Sequence, residues 1–231
     1  GIIKHSRDYS VAEHPELKAY LLDERPPLEA QLIDLADEIA YLTADFDDGI
    51  ESGLLDFEHV RKHVPLVGES YARAALAHGD AEASGMQHRM VSESLKRVLD
   101  ALTGDLITET RQRVEGGGFA ALAAIRLAPE RLARFSPGME RMRREAKHYL
   151  STHLYNSEEV ARHHAQAATV IAALFECWVA DPSLLPIGCA TSLVQEGVPR
   201  TVADYIAGMT DNFILAQYEA TAGDVHARNI R

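Results

Sequence analysis

Asp37, Tyr41 and Asp45 stand four residues apart in DLADEIAYLTADFDDG, residues 34–49. At about 100° per residue on an α-helix, the three side chains fall within about 80° of one another. Carboxylates in such a row offer oxygen ligands to a hard divalent cation, and a phenol between them can donate a hydrogen bond to a ligand hydroxyl. The surrounding charge is one-sided. From Leu28 to Ser52 there are eight acidic side chains (Glu29, Asp34, Asp37, Glu38, Asp45, Asp47, Asp48, Glu51) and no Lys or Arg. Helical like-charge neighbours each cost roughly 0.2–0.5 kcal/mol, and no basic partner in the segment offsets them. A solvated helix face ordinarily mixes both signs. Here Ala36, Ala40 and Ala44 flank the row instead. The row reads as the floor of a pocket, with a wetted face as the alternative.

The elements that must position these residues are helices. After Pro26-Pro27, Leu28, Leu32, Leu35, Ile39, Leu42 and Phe46 recur on the side opposite the Asp-Tyr-Asp row, and Gly49 and Gly53 weaken the pattern. A segment from 56 to 78 is interrupted at Pro65, and a long helix is predicted from Met86 to Glu115, ended by the three glycines of EGGGF. Further helices are predicted over 138–155, 160–179 and 198–222, with a flexible tail over 223–231. No period-2 strand pattern or internal repeat occurs, so the fold class is all-α. The expected organisation is one domain through residue 222.

Several blocks in order carry a family resemblance. LADEIAY followed by DFDDGIESGLL, GIIKHSR at the start, KHYLSTHLY at 147–155, FECWVADPSLLP at 175–186 and VADYIAGMTDNF at 202–213 closely resemble the HD-domain dGTP triphosphohydrolases. The resemblance touches most of the chain and is looser over 56–140. It implies a multi-helix HD-domain phosphohydrolase-like fold and hydrolysis of a dNTP, dGTP foremost, to deoxynucleoside and inorganic triphosphate with Mg²⁺ or Mn²⁺. It also implies that Asp37 is a metal ligand, that Tyr41 and Asp45 hold the deoxyribose, that Lys147 contacts the triphosphate, that Tyr155 lines the sugar and base, and that Lys4 reaches phosphate. Glu38 stands where a relative has a basic residue. Family members are commonly oligomeric, so a homo-oligomer is expected.

The departures shape the expectation. The sequence has no His-Asp dipeptide, and it reads LYNSEEV where relatives often read LYRHPxV. In the family the remaining metal ligands, a His and a His-Asp pair, lie nearer the N-terminus. The chain is therefore expected to be the C-terminal part of a longer polypeptide and to bind metal poorly by itself. Two competing readings are a non-catalytic helical nucleotide-sensing or assembly module and an HD phosphohydrolase acting on another nucleotide.

Composition agrees with a globular protein. The 231 residues are 46% hydrophobic and 25% charged, and the net charge of −12 argues against broad adhesion to nucleic acid or anionic membranes. No apolar run approaches the roughly 18 residues that cross a bilayer, and two cysteines, Cys177 and Cys189, match no zinc spacing. A cytoplasmic protein with reduced thiols is expected. His59 and His63 share a helical face but have no acid between them and have Arg61 and Lys62 beside them, so they read as surface histidines. The cluster Arg141, Arg143, Arg144 and Lys147 reads as a solvated face apart from Lys147.

Overall fold

The computed structural model describes residues 2–4, 8–78 and 84–228, and among these there is no strand. The chain divides into two compact units, Gly1–Asn156 and Ser157–Arg231, where the sequence suggests one domain through 222.

In the first unit, α1 (Leu28–Glu51) is the acidic helix. Its apolar stripe behaves as the spacing predicts: Ile39, Leu42 and Phe46 are buried, and Leu32 and Leu35 pack against the same core. Gly49 stays inside the helix. A Cβ there would lie 2.7 Å from Leu55 Cδ1, so the missing side chain lets the following loop fold back onto the helix. The loop's return is fixed by the Leu55 amide on the Gly49 carbonyl at 2.8 Å. Gly53, with φ at +76°, makes the turn.

The segment after it splits at Pro65, as predicted, into α2 (Phe57–His63) and α3 (Pro65–His78). The long helix α4 (Ser84–Gly116) buries Val91, Leu95, Val98, Leu102 and Leu106 along one stripe. It ends in a Schellman motif: the amide of Gly118 (φ +66°) reaches the Glu115 carbonyl, and that of Phe119 reaches Val114. A short helix, α5 (Leu122–Arg126), lies in a stretch where the sequence offers no helical signal.

Helix α6 (Pro137–Leu150) starts at Ser136, whose hydroxyl caps the Met139 amide. Asp105 of α4 takes both the amide and the hydroxyl of Ser136, at 2.8 and 2.7 Å, and so fixes where α6 begins. Beyond Leu150 the chain widens into a π-helical turn, Ser151–Tyr155, with the Asn156 amide on the Ser151 carbonyl at 3.2 Å. Gln31 then ties α1 to the approach of α6. Its side chain is 1% exposed, donates to the Pro26 carbonyl at 2.8 Å, and accepts from the amides of Leu132 and Ala133 at 2.7 and 3.2 Å. Each of those groups would otherwise be a buried orphan.

The second unit holds α7 (Glu158–Ala180), α8 (Ala190–Gln195), α9 (Val198–Ala207) and α10 (Asp211–Arg228). Its core sets Val170, Leu174 and Trp178 of α7 against Leu185 and against Val202 and Ile206 of α9. The single helix predicted over 198–222 is two helices. Gly208 and Thr210 are poor interior residues. The Met209 amide turns to the Ile206 carbonyl, and a new helix opens on the Thr210 carbonyl. Helix α10 runs past the predicted end at 222 to Arg228, and residues 229–231 lie outside those described.

Candidate functional site

The polar side of α1 meets the C-terminal half of α6 and its π-helical turn in a cleft of about 290 Å³ lined by Asp34, Asp37, Glu38, Tyr41, Leu42, Asp45, Lys147 and Tyr155. Five of the six residues singled out in the sequence meet here, from segments about a hundred positions apart. A π turn inserts an extra residue and shifts the phase of the residues after it, and such turns recur at functional sites. Here it delivers Tyr155, whose hydroxyl donates to Asp45 Oδ2. Partial burial, then the hydrogen bond and charge of Asp45, push the phenol above the usual tyrosine range, so it remains a proton donor at neutral pH.

Lys147 Nζ lies 2.6 Å from Glu38 Oε1, and Arg143 Nη1 lies 2.5 Å from the same oxygen. Arg143 is buried and also holds Glu140 at 2.9 Å. Burial alone would lower its pKa, but the hydrogen bonds and charges of Glu140 and Glu38 raise it. Glu140 is likewise held below the usual carboxylate range: desolvation opposes this, and hydrogen bonds from Arg143 and Arg144 prevail.

Lys4, the sixth residue, is placed elsewhere. It does not line this cleft; it is buried, and its ammonium donates to the carbonyls of Leu21 and Glu24. Its own carbonyl accepts from Arg131 at 2.9 Å. Burial lowers its pKa against the pull of Glu24. With two of its three donors on backbone oxygens, Lys4 ties the N-terminal turn to the loop before α1.

Asp34 and Leu42 line the cleft beyond the residues singled out in the sequence, and Arg143, read there as part of a solvated face, is buried and paired with Glu38. Asp34 precedes Asp37 by three and Arg143 precedes Lys147 by four, spacings that share a helical face. Those spacings were the available signal. The histidines of α2 also have company that local sequence does not announce. The His59 and His63 rings stack at 4.0 Å, His59 Nδ1 lies 2.6 Å from the Tyr149 hydroxyl, and Tyr149 stacks on His153 at 4.2 Å. Both histidines of α2 are exposed, as read from the sequence.

Four carboxylates and one lysine line the cleft, an excess of three negative charges at neutral pH. It favours a cation, or an anion that arrives with one. Oxygen donors suit Mg²⁺ or Mn²⁺. Asp37 is exposed and able to give one such ligand. Among the described residues no three His, Cys, Asp or Glu side chains converge on a common ion, so a full coordination shell needs donors beyond them. No helix among the described residues is long and apolar enough to cross a membrane.

Known proteins match this chain over most of its length. The Phosphohydrolase-associated domain matches residues 133–220, which include α6 and the π turn. A deoxyguanosinetriphosphate triphosphohydrolase-like protein of Thiobacillus denitrificans is 38% identical over 184 residues, covering 80% of this chain and 47% of that protein. Proteins of the same description from Geobacter sulfurreducens (35% over 221 residues, 95% of this chain and 55% of the relative) and Azoarcus sp. (34% over 229 residues, 98% and 59%) extend the match. The chain spans about half the length of the curated relatives it matches. By the order of its motifs and by these matches, the chain is similar over most of its length to the deoxyguanosinetriphosphate triphosphohydrolase-like proteins.

Proposed function

We infer that this chain supplies the sugar and phosphate side of a metal-dependent dNTP triphosphohydrolase, with dGTP the first substrate to test. The observation that carries the reading is the convergence of Asp37, Tyr41, Asp45, Lys147 and Tyr155 on one cleft. The Asp45–Tyr155 pair is an acceptor and a donor side by side, which suits a sugar hydroxyl that gives its proton to the carboxylate and receives one from the phenol. Tyr41 is 63% exposed and stands between Asp37 and Asp45, where its ring can pack on the sugar and disfavour a ribonucleotide.

Lys147 reaches the cleft from the opposite helix and can exchange Glu38 for a phosphate oxygen. Asp37 would give one oxygen to the divalent ion, which supplies Lewis-acid polarisation of the phosphate when bound. The products would be deoxynucleoside and inorganic triphosphate. The protein's own groups hold the sugar at one end and the leaving group at the other, so the reacting phosphorus is positioned between them.

Release of tripolyphosphate from dGTP, measured with Mn²⁺ for Lys147→Gln and Tyr155→Phe, tests this. Loss of one charge-assisted contact of about 1.5–3 kcal/mol corresponds to a roughly 10- to 150-fold drop in kcat/KM. Unchanged kcat/KM in both variants would remove the basis of the assignment. Competing dNTPs and nucleoside monophosphates in the same assay separate a dGTP enzyme from a phosphohydrolase of other specificity.

A further inference from the structure

Tyr149 of α6 touches three other elements, and its hydroxyl is the part that packing does not require. The ring is 6% exposed, stacks at 6.3 Å on Phe46 of α1, and stacks at 4.2 Å, 16° from parallel, on His153 of the π turn. A phenylalanine would make both contacts. The hydroxyl lies 2.6 Å from Nδ1 of His59, on α2 and 90 positions away. Burial, then the charge of Asp56, push the phenol above the usual tyrosine range, so it stays protonated at neutral pH. We propose that the His59–Tyr149 pair is a positioning device for the acidic cleft, holding the π turn in the phase that sets Tyr155 on Asp45. Its part in binding rests on the assignment of Asp45 and Tyr155 to the sugar.

His59 is a fixed point from which the turn can be held. The Asp56 carboxylate caps its amide at 2.7 Å, and Phe57 and Val60 on either side of it along α2 are buried. Its ring stacks on His63, whose Nδ1 donates to the His59 carbonyl at 2.8 Å. From Tyr149 the connection passes into the turn, because the Tyr149 carbonyl accepts from His153 Nδ1 at 3.1 Å beside the stacked rings. The end of the turn is closed by the Asn156 side chain, which donates to the Ser151 carbonyl at 2.6 Å. Between these two ties sits Tyr155, donating to Asp45. Asp45 and Phe46 are consecutive on α1, so the turn and its approach grip that helix at adjacent points, Tyr149 on the core side and Tyr155 on the cleft side.

The hydroxyl adds what the rings alone do not. Aromatic pairs accept offset-stacked and edge-to-face arrangements over a range of centroid distances. A hydrogen bond of defined length and direction removes that freedom. The turn carries an extra residue, so its phase decides which side chain reaches α1. A displacement of about 1 Å originating away from a reacting centre can cost on the order of a hundredfold in rate.

Tyr149→Phe removes the hydroxyl and keeps both ring contacts, and it is tested in the protein carrying this chain, with Mn²⁺. KM for dGTP should rise roughly two- to tenfold, the worth of one ordinary hydrogen bond, with kcat little changed. A variant harmed only in folding would instead lose kcat through loss of active protein and keep its KM. His59→Ala should reproduce the effect, and His59→Asn, which keeps a polar group within reach of the hydroxyl, should recover part of it. Tyr149→Phe/Tyr155→Phe should be no worse than Tyr155→Phe alone, because the pair acts through Tyr155. A readout without substrate separates this proposal from the sugar assignment. In fluorotyrosine-labelled protein, the fluorine resonance of Tyr155, identified by its loss in Tyr155→Phe, should move in Tyr149→Phe. A moved resonance with KM unchanged in both single variants would support the positioning and remove the sugar assignment. An unmoved resonance, losses that add in the double variant, or an unchanged KM in Tyr149→Phe when Tyr155→Phe raises it would overturn the positioning and leave the sugar assignment standing.

Discussion

Glu38 holds the two cations, Lys147 and Arg143, that an incoming phosphate would otherwise engage. A carboxylate about 4 Å from a bound phosphate costs about 1 kcal/mol even at the dielectric constant of bulk water. Glu38→Gln should therefore tighten the complex of Mn²⁺ and a non-hydrolysable dGTP analogue by roughly fivefold, read by calorimetry. Weaker binding with an unchanged melting temperature would show instead that Glu38 orients Lys147 for the ligand. At this scale the sequence was informative where spacing on one helix decides the outcome. Asp37, Tyr41 and Asp45 share a face because four residues make about one turn. Lys147 and Tyr155 entered only through family resemblance, since nothing local says that α6 lies across α1. That Lys4 lies outside the cleft was not legible, because the carbonyls that hold its ammonium belong to residues 17 and 20 positions away.

Among the elements, α2 and α3 show how close packing constrains a single position. Gly68 of α3 faces the Arg61 carbonyl of α2, and a Cβ there would sit 2.5 Å from that oxygen. Backbone cannot swing aside as a side chain does. Gly68→Ala should destabilise the chain by about 1–3 kcal/mol, measured by denaturant unfolding, whereas Gly104→Ala, with nothing within 4 Å, should not. Equal stability of the two variants would mean that α2 and α3 separate at little cost. The helices legible in sequence were those with both an apolar stripe and a chemical stop: Pro-Pro before α1, Pro65 before α3, and three glycines after α4. The π turn after α6 carries no local signal, and the break after α9 was passed over although Gly208 and Thr210 mark it. The π turn matters most, since it moves Tyr155 to Asp45.

For the whole molecule, two facts bear on function together. The chain carries a cleft lined by four carboxylates and one lysine, and it spans about half the length of relatives described as deoxyguanosinetriphosphate triphosphohydrolase-like. The central claim is that Asp37 contributes an oxygen to a divalent ion that the dNTP requires. The most direct measurement is bound Mn²⁺ together with tripolyphosphate release from dGTP, in the protein carrying this chain and in its Asp37→Ala variant. The account predicts that both fall, by at least the roughly 10- to 100-fold that follows loss of a metal site's supporting partner. Metal content and turnover equal to those of the parent would contradict it.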